Sequence, residues 1–209
     1  MSCVYWIAFW LSKIVYSLLY RVEYINKDNV PSTGGYILAP NHRGLSDVIF
    51  IAHGVPKRPI LYMAKQELFK NKLLAWFFKK CGAMPIERGT GDMTTINDFI
   101  GKIKDGNLVG IFPEGTRGDN IRPARGKSGT ALIAKQADCG VIPCAIIYEG
   151  KLRPFKKIKI CYGEPISSEE LFADATATAG LKRATKRIML EINNLMDKEG
   201  VPSAEDNTR

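Results

Sequence analysis

A chain of 209 residues with 45% hydrophobic and 24% charged residues is long enough to bury one substantial core, and its composition argues against disorder. The formal net charge of +9 points to an anionic partner: a lipid headgroup, nucleic acid or a phosphorylated substrate. Five cysteines, Cys3, Cys81, Cys139, Cys144 and Cys161, show no CxxC spacing. They argue against a disulfide framework and a structural zinc site, and they fit a reducing compartment.

From Val4 to Tyr20 the chain is apolar and aromatic, with Lys13 inside the run. A secretory signal is not expected, because no basic residues precede the run and no small-residue cleavage site follows it. A full membrane span needs about 20 apolar residues, and this run is a little short. Lys13, Ser17 and Arg21 recur every four residues, so on a helix they form a narrow polar stripe. The pattern predicts an amphipathic helix over residues 1–21 lying in the membrane interface, with Trp6, Phe9, Trp10, Leu18 and Leu19 in the acyl region. A helix packed on its own domain and a tilted span are the two alternatives.

The remainder, 22–200, reads as one domain. Short strands are predicted at Val22–Asn26, Tyr36–Ala39, Ile60–Ala64, Ala83–Ile86, Leu108–Phe112, Val141–Tyr148 and Ile158–Tyr162. Helices are predicted from a Ser46 cap to His53 and over Lys65–Lys80, Thr94–Lys104, Lys127–Asp138 and Leu181–Leu195. Residues 201–209 read as a disordered polar tail. This alternation predicts an α/β fold, a largely parallel sheet flanked by helices, with functional loops after the strand C-termini. Most of the excess positive charge lies between Lys57 and Arg88, where eight basic residues face Glu67 and Glu87.

Three loop segments in that kind of position carry candidate chemistry. In Asn41-His42-Arg43-Gly44-Leu45-Ser46-Asp47, the His-x4-Asp spacing lets a loop histidine meet a carboxylate in the following first helical turn. Such a carboxylate fixes the tautomer and favours the imidazolium formed when the other ring nitrogen takes a proton. This is two thirds of a hydrolase triad, and a substrate hydroxyl can supply the missing nucleophile. His53 reads as structural, at a helix end where the dipole favours it. In Phe112-Pro113-Glu114-Gly115-Thr116-Arg117, a tight turn with exposed N–H groups and Arg117 suits an anion. In Gly82 to Arg88, a strand delivers Arg88 to the edge of the sheet, and a guanidinium suits a phosphate. Taken singly, each is also readable as a capping loop, a solvated turn or a surface arginine. Gly126-Lys127-Ser128 is not a nucleotide-binding loop, since Ile121 stands where the first glycine is required.

Together, His42-x4-Asp47, Gly82–Arg88, Phe112–Arg117 and Val141-Ile142-Pro143 resemble, in order and spacing, the glycerolipid acyltransferase family. The branch most similar is the bacterial 1-acyl-glycerol-3-phosphate acyltransferases. Met63-Ala64-Lys65 and Gly163-Glu164-Pro165 extend the likeness over Val22–Pro165. The resemblance implies that His42 is the base and Asp47 its orienting partner. It implies that Arg88, Glu114, Gly115, Thr116 and Arg117 hold the glycerol phosphate, with Lys65 a further phosphate contact and Pro143 structural. It implies transfer of a fatty-acyl group from acyl-coenzyme A or acyl carrier protein to lysophosphatidate, with no cofactor and no metal, at the cytoplasmic face of the membrane. Arg43-Gly44, Glu87 and Gly118 depart from the family's usual residues.

Alternatives from other classes are a metal-dependent phosphoesterase with His42, Asp47 and Glu114 as ligands, and a non-enzymatic basic module for membrane or nucleic acid. Within the family, another lysolipid or glycerol 3-phosphate is an alternative acceptor. Nucleic acid is not expected, because few aromatics are interleaved with the basic block outside its apolar face.

Overall fold

Seven strands, β1 (Arg21–Ile25), β2 (Tyr36–Pro40), β3 (Ile60–Lys65), β4 (Ala83–Ile86), β5 (Leu108–Gly110), β6 (Gly140–Ile147) and β7 (Lys157–Tyr162), form one sheet in the order β1-β7-β6-β2-β5-β3-β4. The computed structural model describes residues 2–86, 93–118, 120–123, 125–173 and 177–202. Among the pairings of these described strands, only β6–β7 is antiparallel. The C-terminal ends of β2, β3, β4, β5 and β6 therefore share one end of the sheet, where the three candidate loops begin.

Helices cover both faces, as a buried, largely parallel sheet requires. Ile37 and Ala39 of β2 join one core with Phe99, Ile103, Ala131, Ala134, Ile188 and Ile192, from α4 (Met93–Lys104), α5 (Gly129–Ala137) and α7 (Ala177–Lys198). Leu38, between them, joins the other core with Phe50 and Ile51 of α2 (Asp47–Gly54), beside Tyr16 and Tyr20. The period-2 alternation of a strand splits these neighbours between the two cores.

The α/β architecture matches the sequence expectation, with local differences that have identifiable causes. The expected helix from Lys65 to Lys80 is interrupted: residues 66–69 form a 3₁₀ turn and α3 spans Lys72–Lys80. The break lies at Asn71, whose side chain accepts from the N–H groups of Leu73 and Leu74 at 2.9 and 3.2 Å and so starts a new helix. A short helix, α6 (Ser168–Phe172), was not expected. Its signal was present as Ser167-x-x-Glu170, a capping box. Of the expected tail 201–209, only Val201 and Pro202 are among the described residues, and both are held. Val201 is buried, and the Arg122 guanidinium donates to the carbonyls of Val201 and Pro202, the latter at 2.7 Å.

Arg58 leaves the basic block altogether. It is buried and donates to four carbonyls, those of Pro31, Thr33, Gly34 and Gly106, pinning the loops at the N-terminal ends of β2, β3 and β5. Its charge is consumed internally rather than offered to a partner.

The first helix, α1 (Cys3–Leu19), packs on the domain along one face and leaves the opposite face uncovered. Tyr5, Phe9, Ser12 and Tyr16 point inward; Phe9 meets His53 edge-on at 5.2 Å, and the Tyr16 hydroxyl lies 2.9 Å from Ser46 Oγ. Phe9 is therefore a docking residue, not the acyl-region residue that its place in the apolar run suggested. Ser46 spends its hydroxyl on Tyr16 and makes no side-chain cap to α2. Ile7, Trp10, Leu11, Ile14 and Leu18 face outward and are more than half exposed. Among the described residues no helix is long and apolar enough to cross a membrane.

His53 is structural, as expected, but by a different mechanism. Burial, reinforced by Lys13, pushes its imidazole down to about 4, so the ring is neutral rather than a cation on the helix dipole. It contacts Ser12 Oγ at 3.0 Å, while Ser12 donates to the Phe9 carbonyl. An undocked or unfolded His53 would take a proton near the ordinary value of 6.5, whereas the docked ring does so near 4. The stabilisation is complete above about pH 6.5 and is lost as pH falls toward 4. Urea denaturation should show the chain weaker by about 1–2 kcal/mol at pH 5 than at pH 7.5, and His53→Gln should flatten that dependence.

Candidate active site

The loop that carries His42 leaves β2 at Pro40 and is fastened at successive residues. Asn41 is buried and continues the β2–β6 pairing through its side chain: Nδ2 donates to the Ile146 carbonyl at 3.1 Å, and Oδ1 accepts from the Ile146 N–H at 2.7 Å. The His42 N–H donates to Glu114 Oε1 at 2.8 Å, and the His42 carbonyl accepts from the Gly118 N–H at 2.9 Å. The two ends of the turn after β5 thus grip the His42 peptide from both sides.

The His42 side chain is then fixed in two directions. Nδ1 lies 2.8 Å from Asp47 Oδ2, and the imidazole stacks on the Phe112 ring at 3.8 Å with an interplanar angle of 21°. Phe112 is itself followed by the roughly parallel ring of Tyr62 at 6.2 Å. Asp47 is fully buried, and the same Oδ2 accepts from the N–H groups of Arg43 and Gly44 at 2.7 and 2.8 Å. A carboxylate accepting from these donors requires the proton of the neutral imidazole on Nδ1, which leaves the lone pair on Nε2. The side chain of His42 is 13% exposed, so the ring lies at the edge of the interior. The expected His42–Asp47 contact is present, formed from the loop after β2 and the first turn of α2.

Arg43, a departure from the family's usual residues, closes the neighbouring loop. Its guanidinium lies over the Tyr148 ring at 3.9 Å and donates to the carbonyls of Tyr148 and Gly150, the latter at 3.1 Å. The β6–β7 connection is thereby tied to the residue that follows His42.

The residues expected to hold substrate divide into groups. Thr116 and Arg117 are exposed on the turn after β5, and Lys65 is exposed at the end of β3; both segments belong to the site end of the sheet. Glu114 is buried and turned inward as a post for the His42 peptide, where a second negative charge would oppose a phosphate. Gly115 takes a φ of +70°, and a Cβ there would meet Lys127 Cδ at 3.0 Å and Nζ at 3.3 Å. Lys127 thus lays its ammonium across this turn, a cation the sequence reading assigned only to a helix entry. Arg88 lies outside the described residues. Glu114→Gln, whose amide oxygen can still accept from the His42 N–H, should leave KM for the acceptor within about twofold, whereas Glu114→Ala should lower kcat by about tenfold or more. Steady-state kinetics of the two variants separate a post from a substrate ligand.

The missed contributors, Asn41, Phe112 and Lys127, lie in or beside recognised segments, but only the folded contacts reveal what they do. Among the described residues no three His, Cys, Asp or Glu side chains converge as a metal site would need. Cys139 and Cys144 are buried, and burial pushes both thiols up, Cys139 to about 12, which disfavours the nucleophilic thiolate.

The histidine held by a buried carboxylate thus stands at the end of a largely parallel sheet, and the chain has clear likenesses among known proteins. The acyltransferase family model matches residues 21–147, and the chain belongs to that family. A 1-acyl-sn-glycerol-3-phosphate acyltransferase of Bacillus subtilis is 35% identical over 191 residues, covering 89% of this chain and 94% of that protein. One of the same description from Streptococcus pneumoniae is 29% identical over 190 residues, covering 87% of this chain and 69% of the other. The crystal structure of a 1-acyl-sn-glycerophosphate (LPA) acyltransferase from Thermotoga maritima shares the fold, with a TM-score of 0.73 at 21% identity over 94% of this chain and 79% of the other.

Proposed function

We propose that this chain is a 1-acyl-sn-glycerol-3-phosphate O-acyltransferase that makes phosphatidate from lysophosphatidate and an acyl thioester. The observation that carries the reading is the His42–Asp47 contact of 2.8 Å, in a chain similar over most of its length to enzymes of that description. His42 Nε2 takes the proton of the sn-2 hydroxyl as its oxygen attacks the thioester carbonyl. Asp47 stabilises the imidazolium that forms, and the Phe112 ring beneath it adds a favourable cation–π contact. The C–S bond breaks, and the thiol leaves with the proton returned by His42. The donor is acyl-coenzyme A or acyl carrier protein, and direct transfer involves no acyl-enzyme.

Arg117, Lys65 and Lys127 are the described cations assigned to the acceptor's phosphate, with Arg88 a fourth. Arg117 can bind bidentately, while the lysines act as point charges. The outward face of α1, together with exposed Leu73, Leu74 and Trp76 of α3, is assigned to the membrane interface. Lys70, Lys72, Lys79 and Lys80 flank that apolar surface, each contributing about 1 kcal/mol near anionic headgroups. The enzyme then lies on the cytoplasmic face as a monotopic protein, beside the lipid it consumes.

The test is an acyl-transfer assay with both thioester donors, offering lysophosphatidate and monoacylglycerol in parallel. Phosphatidate should form at least about a hundredfold faster than diacylglycerol, reflecting lost charge-assisted contacts. Equal rates would remove the phosphate-binding assignment, and activity on neither acceptor would remove the function.

A further inference from the structure

The β6–β7 connection contains a conformation that the catalytic reading does not use. Phe155 has φ +63°, a left-handed conformation that costs a bulky residue about 1–2 kcal/mol and that glycine adopts without penalty. The residue is nevertheless 71% exposed, whereas Leu152, three residues earlier, packs against the core. Two unfavourable features, backbone strain and a bare aromatic ring, coincide at one residue of a loop that is otherwise firmly held. Its base is closed by Arg43 on Tyr148 and Gly150. Its far end is fixed by the Phe155 N–H to the Leu19 carbonyl of α1 and by the Arg21 N–H to the Lys156 carbonyl at 3.1 Å.

These two bonds seat the Phe155 backbone beside the last turn of α1, where Leu18 is 71% exposed. The neighbours of Phe155 along the loop include Lys151 and Arg153, exposed, and Lys156, half-buried. An apolar tip with a basic collar, continuous with the outward face of α1, has the chemistry of an anionic lipid surface: the ring enters the acyl boundary while the cations meet headgroups. We propose that the β6–β7 loop is a second lipid-contacting element, with Phe155 as its inserting side chain. This rests on the assignment of α1 to the membrane. Since the base of the same loop is clamped to the residue after His42, the contact orients the catalytic loop toward the bilayer that supplies its acceptor. A carrier protein with an acidic surface is the competing occupant. Continuity with α1 favours lipid.

Phe155→Gly tests the proposal without endangering the fold, because glycine accepts the left-handed backbone. The full chain is co-sedimented with phosphatidylglycerol–phosphatidylcholine vesicles, alongside Leu11→Ser/Leu18→Ser in α1. Phe155→Gly should lower vesicle partitioning about tenfold, from the lost burial of one aromatic ring, while thermal unfolding is unchanged or raised. Turnover of a short-chain, monomerically dissolved lysophosphatidate should stay the same. Partitioning within twofold of the parent, with the α1 double variant released, overturns the loop's role and leaves the α1 assignment standing. If neither variant changes partitioning, the membrane assignment falls with it. A raised KM for acyl carrier protein at unchanged vesicle binding overturns the proposal in favour of the carrier.

Discussion

His42→Ala should lower kcat for lysophosphatidate by about 10²–10⁴-fold while KM changes by less than about threefold. In the proposed mechanism the imidazole acts in proton transfer, and the phosphate contacts assigned to Arg117, Lys65 and Lys127 lie elsewhere. The variant should also fold normally. The His42 peptide is held through its own N–H and carbonyl, by Glu114 and Gly118, and those bonds survive truncation of the side chain. Single-turnover assays together with far-UV circular dichroism check both halves. A loss confined to KM would mean that His42 binds substrate rather than activating it.

The second large effect belongs to Asp47, where function and stability are joined at one atom. Oδ2 accepts from His42 Nδ1 and from two backbone N–H groups, while Oδ1 is buried and makes no hydrogen bond among the described residues. Asp47→Asn can keep an oxygen on the three donors only by placing an NH₂ at the Oδ1 position. That leaves buried donors without acceptors, at about 1–3 kcal/mol. Turning the amide over instead faces the NH₂ toward the donors and disturbs the imidazole tautomer. In either orientation the negative charge beside the developing imidazolium is gone. kcat should fall about 10²–10⁴-fold, the loss expected when an orienting carboxylate becomes an amide, and the urea midpoint should drop in parallel. Activity within a few-fold of the parent would show that Asp47 only caps the loop. Asp47→Glu should not rescue, because the added methylene cannot reach the same donors without moving α2.

These two variants act through a site whose partners were legible from spacing. His-x4-Asp between a strand and a helix lets the ring and the carboxylate meet, although the same spacing taken singly also suits a capping loop. Glu114 shows the opposite case. Its place in Pro113-Glu114-Gly115-Thr116-Arg117 suggests a substrate ligand, and the sequence carries no sign that its oxygen is taken by an N–H 72 positions away. Phe112 is similar: an aromatic residue at a strand end reads as core, and only the fold brings it beneath His42. His53 reads as structural from its place at a helix end, but the burial that lowers its proton affinity comes from packing with α1, remote in sequence.

The sequence by itself determined the alternation of strands and helices, the placing of the candidate loops after strand ends, and the spacing that lets His42 and Asp47 meet in one of them. Each depends on local periodicity, on turn residues or on partners within a few positions. The tertiary structure alone decided which face of α1 docks and which stays bare, that Arg58 is an internal staple and that Glu114 is a post. It also set Phe155 outward. Burial and the pairing of distant polar groups are properties of the packed chain, and the energy of removing a side chain from water is fixed only when the elements around it have been placed.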